Sequence, residues 1–328
     1  MTSFDTTRRG FLTAASLLST TALLGFPAFA QDYPSKKIDY VVPYNAGGMS
    51  DNISRLIGEK LAAATGQQVI NDYKPGAGGA IGANYFMSTP ADGYTLLQST
   101  NSFYGIIPLV TKVQYKPLED LVPLVLVGDA PMVIAVNPAV PATNLAELIA
   151  YAKANPGALS FGTAGKGTVG HLSGEWLQKR AGIELLHIPY NGTPAALQAV
   201  LANEAQILFG PESAEHIAAG TLKGIAVLGD TRWQQLPNLP TTVEAGIEGW
   251  APRSWHTVSI QAKAPEEVKT KLNALINKIL EEPAVRERVA SFGLIPGIAS
   301  YDEVQQRARD DNEQFGALIR DAGLAIAN

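Results

Sequence analysis

Two glycine-rich segments, one in each half of the chain, have residue types suited to binding an anion. The first, Tyr44-Asn45-Ala46-Gly47-Gly48, follows the apolar stretch Ile38–Pro43, and the second, Gly162–Thr168, follows Leu159–Phe161. Each leads into a stretch with apolar residues at helical spacing. A helix N-terminus offers unpaired amide N–H groups and the positive end of a dipole, so it favours negative charge. The two segments therefore predict two lobes that close on one anionic ligand.

Other chemistries fit the sequence less well. The segment Gly76–Gly82 has Ile81 where the dinucleotide-binding pattern G-x-G-x-x-G needs glycine. Gly162–Thr168 is not a phosphate-binding P-loop, because glycine rather than Ser or Thr follows its lysine. Thr168 instead suits the N-cap position of the next helix, where it could also donate a hydrogen bond to a carboxylate. The four histidines lack close paired spacing and no G-x-S-x-G occurs, so we expect no metal, cofactor or catalytic residue.

Four polar or aromatic side chains near these segments have more than one interpretation. Asp51 is either a catalytic carboxylate or a capping residue at the start of the first helix, and the helix start favours the capping role. His171 can either bind near the ligand or pack under the second loop, and Tyr190 is either a pocket residue or a core tyrosine. Arg253 could pair with a ligand carboxylate if it faces the cleft, although a solvated position is usual for a single arginine.

The elements that must position these residues alternate between strands and helices along most of the chain. Alternation of this kind predicts an α/β fold with mainly parallel sheets flanked by helices. The apolar run Leu121–Val136, interrupted at Gly128 and Pro131, predicts two strand halves that cross from one lobe to the other, and Trp255–Ile260 predicts the return strand. Pro283 predicts the end of the helix Glu266–Glu281. Further strands are predicted at Gln68–Asn71, Tyr94–Ser99, Leu159–Gly162, Leu185–Pro189, Ala205–Phe209 and Gly224–Leu228, and further helices at Asp51–Thr65, Ile81–Ser88, Leu145–Ala154, Val169–Ala181, Pro194–Ala202, Ser213–Ala219 and Asp302–Ala322.

An ordered series of motifs resembles a known family, the receptors of the tripartite tricarboxylate transporters, also called Bug proteins. Pro43-Tyr44-Asn45-Ala46-Gly47-Gly48 with Asp51 is similar to the opening P-[FY]-x-A-G-G-x-x-D of that family. Further matches are Lys74–Gly79, Pro90–Leu96, Gly165–Thr168 with His171-Leu172, Pro189–Ala195, Leu239–Gly246 and Glu282–Arg288. The resemblance covers nearly all of the chain after residue 31.

This resemblance implies a periplasmic receptor with the two-lobed Venus-flytrap fold and a hinge of two crossing strands. It would capture a small organic carboxylate and deliver it to integral-membrane transporter subunits. The implied domains are lobe 1 at 31–130 and 250–328 and lobe 2 at 131–249, and a monomer is expected. The predicted ligand-binding residues are Tyr44, Asn45, Ala46, Gly47, Ser102, Ala164, Gly165, Gly167, Thr168, His171, Tyr190, Gly192, Thr193, Glu212 and Trp255. Where relatives often carry an Asp-Asn pair, this chain has Gly210-Pro211-Glu212, so contact of Glu212 with the ligand is left open, as it is for Lys166.

The N-terminus and the composition agree with export. Thr7-Arg8-Arg9-Gly10-Phe11-Leu12 is a twin-arginine pattern, and the small residues of Ala28-Phe29-Ala30 predict cleavage after Ala30. The apolar run between them is short for a membrane span, so no stable membrane insertion is expected. The chain of 328 residues has no cysteine and a formal net charge of −5, which gives no electrostatic footprint for nucleic acid or anionic lipid.

Two questions stay open at the level of sequence. One is the ligand: Tyr44, Phe103, Tyr104 and Trp255 could form an aromatic slot for a benzoate-like acid, while small aliphatic di- or tricarboxylates are equally arguable. The other is the class of protein. A hydrolase on the same fold would need a nucleophile–base pair or a metal site, and a receptor for another transporter class or for a two-component sensor would differ in its membrane partner.

Overall fold

The computed structural model describes residues 33–325, and Pro34–Asn328 form one compact unit. The predicted twin-arginine signal and the cleavage position after Ala30 lie outside the described residues. The strands are β1 (Ile38–Val42), β2 (Val69–Tyr73), β3 (Thr95–Thr100), β4 (Leu121–Pro123), β5 (Gly128–Pro131), β6 (Val133–Val136), β7 (Ser160–Thr163), β8 (Leu186–Pro189), β9 (Ile207–Phe209), β10 (Lys223–Val227), β11 (Arg253–Gln261) and β12 (Ile295–Pro296). The helices are α1 (Met49–Thr65), α2 (Ala80–Met87), α3 (Ser102–Gly105), α4 (Ile107–Val110), α5 (Leu145–Ala154), α6 (Val169–Ala181), α7 (Thr193–Leu201), α8 (Ala214–Ala218), α9 (Glu266–Glu281), α10 (Pro283–Ser291) and α11 (Tyr301–Asp321).

The strands form two sheets, which confirms the predicted two-lobed α/β class. The first sheet has the order β12-β5-β11-β3-β1-β2, with β4 also paired to β11, and the second has the order β10-β6-β9-β7-β8. Both sheets are mixed, so the prediction of mainly parallel sheets is wrong. Pairing is parallel among β1, β2 and β3 and among β7, β8 and β9, while β11, β5 and β6 run antiparallel to their neighbours. The antiparallel pairs arise because the chain crosses between the sheets and re-enters each one from the opposite end.

The two crossings lie side by side. Strands β5 and β6 are separated only by Met132, so one nearly continuous run passes from the first sheet to the second. The amide of Met132 donates to the carbonyl of Pro252, just before β11 begins, and the carbonyl of Met132 accepts from Leu228. This is the predicted hinge of two crossing strands. The lobe boundaries given above remain our proposal.

Local sequence signals explain where the main helices begin and end. Helix α1 buries Ile53, Ile57 and Leu61 completely, as their helical spacing predicts, and Gly66 ends it with a left-handed φ of 71°. Helix α6 has the N-cap Thr168 and likewise ends at a left-handed glycine. The longest helix, α11, begins with a capping box between its N-cap serine and the glutamate three residues later.

One boundary and several short elements differ from the sequence prediction. Pro283 does end α9, but it also begins α10, because proline suits the first position of a helix, where no amide donor is needed. The short helices α3 and α4 and the two-residue strand β12 were not predicted, since each is too short for a periodic pattern. Among the described residues, no helix combines the length and apolar character needed to cross a membrane.

Helix α11 contacts the cores under both sheets. Val304 and Ala308, in its first half, pack in the cluster that contains Phe86, Leu97 and Trp255 under the first sheet. Phe315 and Ile319, in its second half, pack in the cluster that extends to Trp176 and Leu177 of α6. Edge-to-face rings continue this contact, with Trp250 6.0 Å from Trp176 and 6.2 Å from Phe315 between centroids. Helix α11 therefore connects the cores of the two sheets.

Candidate ligand-binding cleft

A cleft lies between the two sheets, where the loops after β1, β3, β7 and β9 meet. It holds about 710 Å³ of empty space, counting its open mouth. In open α/β sheets the carboxyl ends of the strands are the usual place for a ligand. Among the described residues that line the cleft there is no lysine or arginine.

Seven of the fifteen sequence-predicted site residues line this cleft and eight do not. Those that line it are Tyr44, Asn45, Ser102, Ala164, Thr168, Thr193 and Glu212. Those outside its lining are Ala46, Gly47, Gly165, Gly167, His171, Tyr190, Gly192 and Trp255. The difference follows from how each loop is held, as described below.

The N-terminus of α1 forms one wall of the cleft. Its first two residues, Met49 and Ser50, line the cleft directly after the N-cap Gly48, which makes no side-chain cap. Helix geometry leaves the amide N–H groups of the first turn without partners inside the helix. The end of α1 therefore presents backbone donors and a positive dipole end to the cleft.

Asp51 stabilises this helix start and is not part of the cleft lining. Its carboxylate accepts hydrogen bonds from the amide of Gly47 at 2.8 Å, from Arg55 Nε at 2.7 Å and from the Tyr73 hydroxyl at 2.5 Å. Burial alone would raise the pKa of Asp51, but these three donors together hold it below its ordinary value. Asp51 therefore has a structural role at the start of α1, where it holds Gly47, the residue before the N-cap.

The N-terminus of α6 forms the opposite wall, with Val169 and Gly170 lining the cleft. The Thr168 hydroxyl accepts from the amide of His171 at 3.3 Å and donates to the carbonyl of Gly165 at 2.9 Å. The predicted N-cap role of Thr168 is confirmed. The single hydroxyl proton of Thr168 is used in the bond to Gly165. The groups at this wall that can donate a hydrogen bond to an anion are therefore the backbone amides of the first helical turn.

Glycines in the two loops allow the backbones of the two loops to approach each other closely. Gly165 lies against Gly78 of the loop after β2, such that a Cβ on Gly165 would lie 2.7 Å from the Gly78 Cα. The loops also meet where the amide of Asn45 donates to the carbonyl of Asn191 at 3.2 Å. Tyr44, in the loop after β1, donates to the carbonyl of Gly78 in the loop after β2 at 3.1 Å. These contacts bring the loops of the two halves together without placing Gly165 in the cleft lining.

Sequence reasoning chose the wrong residue on β11. Trp255 is fully buried on the opposite side of the strand, where it stacks on Tyr104 at 5.9 Å and donates through Nε1 to Asp311 at 2.7 Å. Its neighbours Ser254 and His256 line the cleft instead. Successive side chains of a strand point to opposite faces, and this alternation was the signal that could have found them.

His256 lines the cleft, and one nitrogen of its ring is buried without a hydrogen-bond partner in the described part of the chain. Its ring is 6% exposed, and its Nδ1 has no hydrogen-bond partner among the described residues. Burial lowers the pKa of His256 from 6.5 to about 4, so the ring is neutral at pH 7. The ring therefore adds no positive charge to the cleft at this pH.

His171 and Tyr190 lie outside the cleft, in agreement with the packing alternative for each. His171 Nδ1 accepts from the amide of Gly167 at 3.5 Å, and its ring lies 4.3 Å from that of His187. Burial, together with His187 and the positive charge of Lys166, lowers the pKa of His171 to about 3. Tyr190 is half-buried and packs with the apolar cluster beneath α7.

The predicted aromatic slot does not form. Phe103, Tyr104 and Trp255 are fully buried in the core of the first sheet, and of the four proposed aromatics only Tyr44 lines the cleft. Arg253 is exposed and is not part of the lining. No group of three or more metal-ligating side chains occurs among residues 33–325.

Comparison with known proteins agrees with this geometry. Residues 53–324 match the family described as tripartite tricarboxylate transporter family receptor. Protein BugT of Bordetella pertussis is 34% identical over 319 residues, which cover 96% of this chain and 98% of BugT. Among solved structures, R. palustris Rpa4515 with adipate superimposes with a TM-score of 0.84 at 31% identity, covering 90% of this chain and 99% of that chain. The periplasmic binding protein BugD gives 0.83 at 31% identity, with 89% and 99% covered. The chain therefore belongs to the tripartite tricarboxylate transporter receptor family.

Proposed function

We propose that this protein captures a small organic carboxylate between its two lobes and delivers it to the integral-membrane subunits of a tripartite tricarboxylate transporter. One observation carries the proposal: the N-termini of α1 and α6 line the same cleft, which has no lysine or arginine among its described lining residues. Backbone amides and helix dipoles are then the groups that favour an anion. The family description and the adipate bound to Rpa4515 support a carboxylate as that anion.

The proposal assigns no catalysis to the cleft. The hydroxyl–imidazole pair closest to it joins Thr163 Oγ1 to His187 Nε2 at 2.7 Å. Thr163 is also bonded to Gly165 at both its amide and its carbonyl, so this hydroxyl fastens the loop before α6. A turnover assay with carboxylate esters and amides tests this assignment, and hydrolysis that is lost in Thr163→Val would contradict it.

The proposed cellular setting follows from the N-terminus. We infer export by the twin-arginine route, cleavage after Ala30, and function as a monomer in the periplasm. The transporter partner is tested by co-purification of membrane subunits with the tagged receptor in the presence of its ligand. Recovery of a sensor kinase instead would overturn the transport assignment.

A thermal-shift screen against carboxylates, followed by calorimetry, tests the binding function. A ligand present at 100 times its Kd raises the free energy of unfolding by about 2.7 kcal/mol. Failure of every aliphatic and aromatic carboxylate in the screen would refute carboxylate capture.

A proline substitution tests the role of the helix N-terminus itself. Val169 occupies the first position of α6, and the preceding Thr168 has φ −90° and ψ 161°, which a following proline accepts. Val169→Pro removes one amide donor from the cleft and should weaken binding about tenfold or more, since a hydrogen bond to a charged group contributes about 1.5–3 kcal/mol. The matched control is Glu266→Pro, at the exposed first position of α9. Equal affinities in both variants would remove the α6 terminus from the site.

A further inference from the structure

Glu212 is the one Asp, Glu, Lys or Arg side chain among the described residues that line the cleft. It lies in the 3₁₀ turn Pro211–Ser213 that follows β9. The turn is held in place at Gly210, whose amide donates to the carbonyl of Val133 at 3.0 Å and whose carbonyl accepts from the Ser213 hydroxyl at 2.8 Å. The backbone that carries Glu212 is therefore fixed relative to the second sheet.

The carboxylate of Glu212 lies back over its own turn. A Cβ placed on Gly210 would lie 2.6 Å from Glu212 Oε2, so the carboxylate occupies the space that the glycine leaves open. The hydroxyl of Thr193, which also lines the cleft, lies near the same carboxylate and lowers its pKa. Glu212 thus has a defined position on the wall formed by β9 and α7.

No cation of the protein balances this carboxylate. Glu212 takes part in none of the ion pairs found among residues 33–325, and no lysine or arginine there lines the cleft. Burial raises the pKa of Glu212, although the Thr193 hydroxyl and the residue's own backbone amide oppose that effect. Glu212 is half-buried, and partial burial of a carboxylate without a counter-charge is unfavourable, so a positively charged group of a ligand would stabilise it.

We propose that Glu212 is a specificity-determining residue that selects a ligand carrying an ammonium group in addition to a carboxylate. This inference rests on the proposed function, in which the helix N-termini bind the carboxylate. The ammonium group then lies against Glu212 and Thr193, where it donates to the side-chain carboxylate. A second carboxylate of the ligand at this position is disfavoured, because it would face Glu212 as a like charge without a neutralising cation.

Paired compounds that differ in one terminal group test the inference. For each chain length from two to six carbons, an ω-amino acid, the dicarboxylate and the monocarboxylate are compared by thermal shift and calorimetry, and α-amino acids are compared with their unsubstituted acids. We expect the best amino compound to bind at least about tenfold more tightly than its dicarboxylate partner. In Glu212→Gln this ratio should fall by about tenfold or more, with the dicarboxylate gaining affinity.

Two further variants keep the test decisive. Glu212→Asp retains the charge and should still prefer the amino compound, which also serves if Glu212→Gln folds poorly. Glu215→Gln removes an exposed charge one turn further along, outside the cleft lining, and should leave the ratio unchanged. A preference for dicarboxylates in the unmodified protein, with a ratio that Glu212→Gln does not alter, overturns the role of Glu212. If Val169→Pro weakens the binding of the dicarboxylate in that case, carboxylate capture stands and only the role of Glu212 fails. If no carboxylate binds to the protein, the proposed function itself fails.

Discussion

Gly78 has no room for a methyl group in the described arrangement of the two halves. It lies in the loop after β2 with a left-handed φ of 64°, and a Cβ at this position would lie 2.0 Å from the backbone carbonyl oxygen of Lys166. Real Cβ atoms essentially never approach closer than 3.0 Å, so Gly78→Ala should force the two loops apart by about 1 Å. The contacting atom belongs to the backbone, so a rotamer change cannot relieve the clash.

The expected loss of affinity and of stability in Gly78→Ala follows from two separate costs. Overpacking costs about 1–3 kcal/mol, which corresponds to about 5- to 150-fold in affinity when the clash exists only with the loops together. The strain of alanine at positive φ lowers the free energy of unfolding by about 1 kcal/mol, and it is the same whether the loops are together or apart. Gly66→Ala isolates that second cost, because Gly66 has φ 71° and no atom within 4 Å of its would-be Cβ.

The assay compares carboxylate affinity by calorimetry and the radius of gyration by small-angle scattering for both variants. Gly78→Ala should bind more weakly and remain more extended at saturating ligand, while Gly66→Ala should bind like the unmodified protein and lose only stability. If Gly78→Ala binds with unchanged affinity, contact between the loops at Gly78 and Lys166 is not needed for capture, and the two-lobe mechanism loses its structural basis.

Three further outcomes are expected. Thr168→Val should lower the free energy of unfolding by about 1 kcal/mol through loss of the α6 cap, and Thr168→Ser should restore it; equal thermal midpoints for the two variants would remove the capping role. Burial holds the pKa of His256 at about 4, below the 6.5 of the unfolded chain. The stability associated with the neutral ring is therefore fully present above pH 6.5 and is lost as the pH falls toward 4. His256→Asn should therefore reduce the loss of stability between pH 6.5 and 4 by up to about 3 kcal/mol in urea titrations, and an unchanged pH slope would contradict the pKa shift. Mass spectrometry of exported protein should find Gln31 as the first residue, whereas a chain that retains Met1 would contradict cleavage after Ala30.

The long periodic elements could be predicted from the sequence because their signals are local. The bounds of α5, α6 and α9 agree with the predicted ranges Leu145–Ala154, Val169–Ala181 and Glu266–Glu281 to the residue. Each has a recognisable start, at Asn144, Thr168 or Pro265, and an apolar face that packs on a core. The antiparallel pairs of β11 were not predictable, since they depend on where the chain re-enters a sheet after a long excursion.

The site was predicted in part, because a motif identifies a loop but not which of its atoms faces the ligand. The loops after β1 and β7 do line the cleft, yet Gly165 and Gly167 are placed to allow backbone contact. His256 was missed because alternation along β11 separates Trp255 from its neighbours Ser254 and His256 but does not say which of the two faces lines the cleft. Its cleft-facing position depends on the pairing of β11 with β3, which places His256 opposite Thr100.

Helix α11 acts as a mechanical brace across the hinge. It is 21 residues long, with one end held in the core of the first sheet and Phe315 and Ile319 held in the core of the second. Detaching those two side chains would cost about 3–6 kcal/mol, so their burial opposes wide opening at the crossing strands. We therefore expect the bending of α11 to limit the amplitude of lobe motion. A chain that ends before Phe315 should open more widely at the hinge.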